Sequence, residues 1–123
     1  SYNNPFTKAG RTLYPRDYPT HRVMQSRLFM DTHYACKLHI NDLAGEAFLS
    51  NFHFIRLFKA YYGRTPYQYL TSVRIENAKR LLNSKATISD ICFEVGFESE
   101  IYFTDLFRKM TGITPAAFRE GKH

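Results

Sequence analysis

Apolar positions along the chain recur at three- and four-residue spacings, the period of a helix face rather than a strand. Phe54, Leu57, Phe58 and Tyr61 follow i, i+3, i+4, i+7, and Phe103, Leu106, Phe107 and Met110 repeat the same spacing. Both sets are expected core stripes. No run of alternating β-branched residues bounded by hairpin turn signals occurs, so the pattern predicts an all-α fold.

The two stripes belong to an internal repeat. Phe54-Ile55-Arg56-Leu57-Phe58-Lys59 and then Gly63-Arg64-Thr65-Pro66 are answered by Phe103-Thr104-Asp105-Leu106-Phe107-Arg108 and then Gly112-Ile113-Thr114-Pro115, a constant offset of 49, since 107 − 58 and 115 − 66 agree. Upstream, Asp42-Leu43 is answered by Asp90-Ile91 at an offset of 48, so one extra residue is expected in the second loop. Each unit parses as a short helix, a turn and a longer helix: 40–46 then 51–62, and 88–94 then 100–111. Gly63 and Gly112 suit left-handed helix ends, and Gly96 suits the second turn. Thr65-Pro66 and Thr114-Pro115 each offer an N-cap with proline at the first helical position, and Thr65 with Gln68 matches a capping box. Between the units, 66–82 predicts a connecting helix, closed by Asn83-Ser84, that fixes their separation. Thr20 is read as the N-cap of a scaffold helix reaching about Tyr34, with Val23, Arg27, Met30 and Tyr34 along one face. The expected division is therefore an arm over 1–19, rich in proline and without helical periodicity; a first helix-turn-helix unit with its connecting helix over 20–82; and a second unit over 83–123.

Length and composition fit a single compact domain of 123 residues, and no segment reaches the roughly 18 uncharged apolar residues of a membrane helix. No secretion leader is recognisable, so a soluble cytoplasmic protein is expected. Starting on Ser rather than Met suggests an excised piece. Cys36 and Cys92 lack a CxxC partner and are read as reduced, buried small hydrophobes. The net charge of +6 favours a polyanionic partner. Residues 1–86 hold 13 Lys/Arg against 5 Asp/Glu, net +8, and residues 87–123 hold 4 against 6, net −2. The expected electrostatic grip therefore lies in the first part.

With the stripes buried, Asn51, Phe52, Ile55, Arg56 and Lys59 are left on the outer side of the first long helix. Arg56 suits bidentate donation to guanine O6 and N7, Phe52 or Ile55 suits a thymine methyl, and Lys59 suits phosphate. The bland alternative has Arg56 solvated or paired with Asp42 or Glu46. On the second long helix the outer side is Glu100, Ile101, Thr104, Asp105, Arg108 and Lys109. Asp105 there either accepts from cytosine N4 or pairs with Arg108 or Lys109, the second being favoured, while Arg108 and Lys109 suit phosphate.

Ile88-x-Asp90-Ile91-x3-Val95-Gly96-Phe97-x4-Tyr102-Phe103-x3-Phe107-Arg108-Lys109-x2-Gly112-x-Thr114-Pro115-x2-Phe118-Arg119 resembles the signature of the AraC/XylS transcription regulators. Leu43-Ala44, Ser50, Arg56, Phe58-Lys59 and Gly63 are similar in the first unit, and Arg74-Ile75-x2-Ala78-x2-Leu81-Leu82 resembles the family's linker helix. The resemblance implies about seven helices in two homeodomain-like helix-turn-helix units, with both recognition helices in successive major-groove segments. It implies base contacts from Asn51, Phe52, Ile55 and Arg56 in the first unit, and from Glu100, Ile101, Tyr102 and Asp105 in the second. Members often carry Arg where Asp105 stands, so the first unit is expected to dominate affinity. Promoter or operator duplex DNA is the implied partner, with RNA polymerase as a second partner and a separate effector or dimerisation domain in a longer regulator. No cofactor is implied.

Rival readings have less support. His33, Cys36 and His39, completed by His21, His53 or Cys92, would make an irregular zinc site unlike a finger. No nucleophile elbow, glycine-rich phosphate loop or carboxylate pair points to an enzyme. A helical protein-interaction module using exposed Phe52, Ile55 and Tyr102 is the stronger rival.

Overall fold

The computed structural model describes residues 14–46 and 49–121, with side chains from 19 onward except that of Glu46. These residues form seven helices and no strand: α1 (Tyr14–His33), α2 (Ile40–Glu46), α3 (Asn51–Tyr62), α4 (Pro66–Leu81), α5 (Ile88–Glu94), α6 (Glu100–Thr111) and α7 (Pro115–Arg119). The two short-helix/long-helix pairs fall on the expected boundaries.

The N-terminal helix differs from expectation. It begins at Tyr14, six residues before Thr20, and runs through Pro19. Pro15 stands in the first turn, where amide protons have no intrahelical acceptor in any case, so its missing N–H costs nothing. Reading prolines as breakers therefore overextended the arm. Residues 1–13 lie outside the described residues.

The chain divides into two compact units, one of 1–32 with 38–68 and one of 33–37 with 69–123. The boundary thus lies in the first turn of α4 rather than at its end. The reason is in the packing: Ile75, Ala78 and Leu82 share a core with Ile91, Cys92, Val95, Phe97, Phe103 and Phe107. The connecting helix is a core helix of the second unit.

In the first unit Val23, Met30, Leu43, Ala44, Phe54 and Phe58 are buried. The stripe of α3 is narrower than expected. Phe54, Phe58 and Tyr62 stack at four-residue intervals, with ring centroids 5.9 and 4.8 Å apart, and Leu57 is half-buried. Tyr61 is exposed, its hydroxyl 3.1 Å from Thr20 Oγ1. In α6 likewise Phe103 and Phe107 are buried, Leu106 is half-buried and Met110 is exposed. At the position after Phe107 along that line stands Thr111, whose Oγ1 donates to the Phe107 carbonyl at 2.8 Å. Phe118 of α7 closes this core edge-on against Phe107 at 5.5 Å.

Caps set the helix ends. Gly63 and Gly112 are left-handed, at φ 76° and 92°. Thr65 Oγ1 accepts from Gln68 N at 3.1 Å while Gln68 Oε1 accepts from Thr65 N at 2.9 Å, the reciprocal box. Thr114 Oγ1 caps α7 through Ala117 N at 3.1 Å. Two arginines are structural rather than available to a partner. Arg74 donates to the carbonyls of Tyr34 and Cys36, at 2.7 and 2.9 Å, and lies over the Phe97 ring. Arg119 donates to the carbonyls of Leu82 and Ala86, at 3.1 and 2.6 Å. Cys92 is buried as expected, but Cys36 is exposed, because it sits in the turn that follows α1.

Candidate nucleic-acid interface

The two long helices of the repeat, α3 and α6, begin alike. Ser50 Oγ accepts from His53 N at 3.2 Å and Ser99 Oγ accepts from Tyr102 N at 3.1 Å, so each first turn is fixed by a serine N-cap. Each helix then buries two phenylalanines and presents its opposite side outward.

On α3 the outward side holds Phe52, 69% exposed, with His53, Arg56 and Lys59 also exposed. The Arg56 guanidinium lies 5.3 Å from the Phe52 ring centroid, one helical turn away. Arg56 has no ion pair among the described residues, so the pairing with Asp42 is not formed, and the Glu46 side chain lies outside the described residues. An exposed cation–π contact of this kind contributes about 0.5–1 kcal/mol, enough to bias the arginine rotamer without consuming its donors. Asn51 is exposed but donates through Nδ2 to Asn41 Oδ1 of α2, which ties the start of the helix to its partner. Ile55 is half-buried rather than fully outward, because at 3.6 residues per turn it lies about 60° round the helix from buried Phe58. α3 contains no carboxylate.

On α6, Ile101 is 79% exposed and Tyr102, Glu100, Asp105, Arg108 and Lys109 are exposed, with Thr104 half-buried. Glu100, Ile101, Thr104 and Asp105 line one open depression of about 350 Å³. The expected pairing of Asp105 with Arg108 or Lys109 is not formed: among the described residues the ion pairs are Arg27–Asp31, Lys37–Glu98 and Lys79–Glu76.

The charge bias also changes once the units are drawn from packing. The first holds 8 Lys/Arg against 4 Asp/Glu, net +4, and the second 9 against 7, net +2. The contrast that survives is local, between an acid-free α3 and an α6 with two acids against two bases.

The sequence pattern brought in His53 only as a candidate zinc ligand, although a signal for its place on the outward face was present. The 49-residue offset maps Tyr102 onto it. Of the irregular zinc set, no three His, Cys, Asp or Glu residues come together among the described residues.

Known proteins share this arrangement. Residues 43–121 match the family of helix-turn-helix domains. The MmsAB operon regulatory protein of Pseudomonas aeruginosa is 37% identical over 93 residues, 75% of this chain and 30% of that protein. The transcriptional regulator ExsA of the same organism is 36% identical over 108 residues, 87% of this chain and 39% of its own length. Among solved structures, the DNA-binding domain of AdpA, a global transcriptional factor in complex with a target DNA, superposes with a TM-score of 0.77 at 28% identity, covering 81% of this chain and 91% of that one. The fold is that of a two-unit helix-turn-helix DNA-binding domain. The chain belongs to the AraC/XylS family of transcription regulators. It spans 30% and 39% of the length of these two curated relatives.

Proposed function

We propose that this chain binds a promoter or operator duplex with α3 in the major groove and thereby regulates transcription as part of a longer regulator. The observation that carries this reading is the acid-free outer face of α3, where Arg56 stands exposed above Phe52 with no ion pair among the described residues. A planar five-donor group matches guanine O6 and N7, the commonest specific base contact, and Phe52 at the rim fits a thymine methyl. Half-buried Ile55 supplies a second apolar edge, and Asn51 and His53 flank the entry of the helix. Lys59, Arg108 and Lys109 contact phosphate. In α6 the base-facing set is Glu100, Ile101, Tyr102 and Asp105, and its carboxylates leave the larger share of affinity to α3. The target DNA in the AdpA complex supports DNA as the partner.

The outer face of α6 supports binding rather than catalysis, since its carboxylates stand on an open helix surface and not in an enclosed pocket. No helix among the described residues is long and apolar enough to cross a membrane, and a regulator acting on promoter DNA works in the cytoplasm. RNA polymerase is the second partner expected of such a regulator, and an effector or dimerisation domain the expected companion.

The test is selection of bound sequences from a random duplex library, followed by a salt titration. A defined motif whose affinity falls linearly with log salt supports the reading. A surface that retains no motif, and whose binding disappears at near-physiological salt, marks Phe52, Ile101 and Tyr102 as protein contacts instead.

A further inference from the structure

α3 and α6 share one template, yet their outward faces are of opposite chemical sense. The repeat offset places Asp105 where α3 has Arg56, and Ile101 where α3 has Phe52. Arg56 can only donate hydrogen bonds; the carboxylate of Asp105 can only accept them. A helical carboxylate with cations three and four residues onward ordinarily pairs with one of them. Among the described residues Asp105 does not, although Arg108 and Lys109 follow it on the same helix, and it lines one open depression with Glu100, Ile101 and Thr104.

Base edges offer such a carboxylate few partners. Guanine presents two acceptors, O6 and N7, which repel it. Adenine pairs its N6 donor with an adjacent N7 acceptor. Thymine presents an acceptor and a methyl. Cytosine N4 is the donor without an acceptor beside it on the same base.

We propose that α6 reads cytosine through Asp105, with Ile101 packing against the C5 edge of a neighbouring pyrimidine. The inference rests on the DNA-binding reading above and adds which base the second helix selects. The carboxylate weakens the grip on phosphate but rejects guanine, so it specifies by exclusion as much as by attraction. The two half-sites therefore differ in sequence although the helices that read them are repeats: guanine under α3, cytosine under α6.

The full chain is tested by selection from a duplex library randomised under both helices, with wild type, Asp105→Asn and Asp105→Ala run side by side. Asp105 is exposed, so both variants keep the fold. Wild type is expected to favour cytosine over guanine at one position by about five- to 150-fold, the span of a good side-chain–base pair. Asp105→Asn is expected to shift that position toward adenine, and Asp105→Ala to flatten it, while the guanine-containing half-site is retained. Variants that bind more tightly to every sequence, with no position changing its preference, overturn the inference and leave Asp105 as phosphate repulsion. A wild-type chain that selects no sequence at all overturns the DNA-binding reading itself.

Discussion

Replacing Gly96 by alanine tests how the second helix-turn-helix is held together. Gly96 follows α5 with φ at 108°, a conformation that side chains strain to adopt. A Cβ placed there meets Arg74 Nε at 2.8 Å and the Tyr34 carbonyl oxygen at 2.9 Å. These two atoms are partners in a 2.7 Å hydrogen bond, so the methyl group drives directly into it. Backbone strain costs about 1–3 kcal/mol, and loss of a bond to a charged donor about 1.5–3 kcal/mol. The expected destabilisation is the sum, roughly 2.5–6 kcal/mol, a large part of a domain's usual 5–15 kcal/mol. Urea unfolding followed by far-ultraviolet circular dichroism measures it, with a midpoint shift of about 1 M or more. Two glycines with nothing within 4 Å of the added carbon serve as controls. Gly63→Ala, at φ 76°, should lose only the roughly 1–2 kcal/mol of a left-handed residue, and helical Gly45→Ala should gain about 0.5–1 kcal/mol. A Gly96→Ala protein no less stable than Gly63→Ala would refute the role given to Arg74.

Asp105→Arg should lose the cytosine preference yet tighten binding to mixed-sequence duplex and steepen its salt dependence by nearly one unit of log–log slope, measured by anisotropy across a salt series; an unchanged slope contradicts the placement of Asp105 at the duplex. In native protein a thiol reagent should titrate exposed Cys36 and spare Cys92 until unfolding, and two equally fast thiols would contradict the packing. Burial, with Glu100 adding to it, pushes the Cys92 thiol above its ordinary value of 9.0. The neutral form is thus favoured by folding. Its contribution is complete below that value and is lost as pH climbs past the raised one, so alkaline urea midpoints should fall more for wild type than for Cys92→Ala. Thr65→Ala removes half of a capping box and should cost about 1 kcal/mol in the same unfolding assay, with no change in the sequence selected.

Much of the fold was legible because the repeat carried its own punctuation. Paired Gly and Thr-Pro signals fixed the ends of α3 and α6, and the left-handed glycines and N-caps stand where those signals put them. The miss at Thr20 came from treating prolines as breakers, although a helix tolerates Pro15 in its opening turn. Tyr61 and Met110 were placed in the core because spacing identifies a face but not its width; two stacked phenylalanines proved sufficient to fill it. The allocation of α4 to the second unit depends on packing of Ile75 and Ala78 that no local pattern encodes. At the interface, Arg56 was readable as outward from Phe54 and Phe58 alone. Its contact with Phe52, the tie between Asn51 and Asn41, and the unpaired state of Asp105 needed coordinates.

The most direct measurement is the affinity of wild type and Arg56→Ala for a selected duplex and for its single-base variants at every position. Loss of about 1–3 kcal/mol confined to one guanine, with other positions keeping their ranking, is the expected result. A loss spread evenly over all sequences would contradict it, leaving Arg56 a contact to the DNA backbone and α3 without its principal reader.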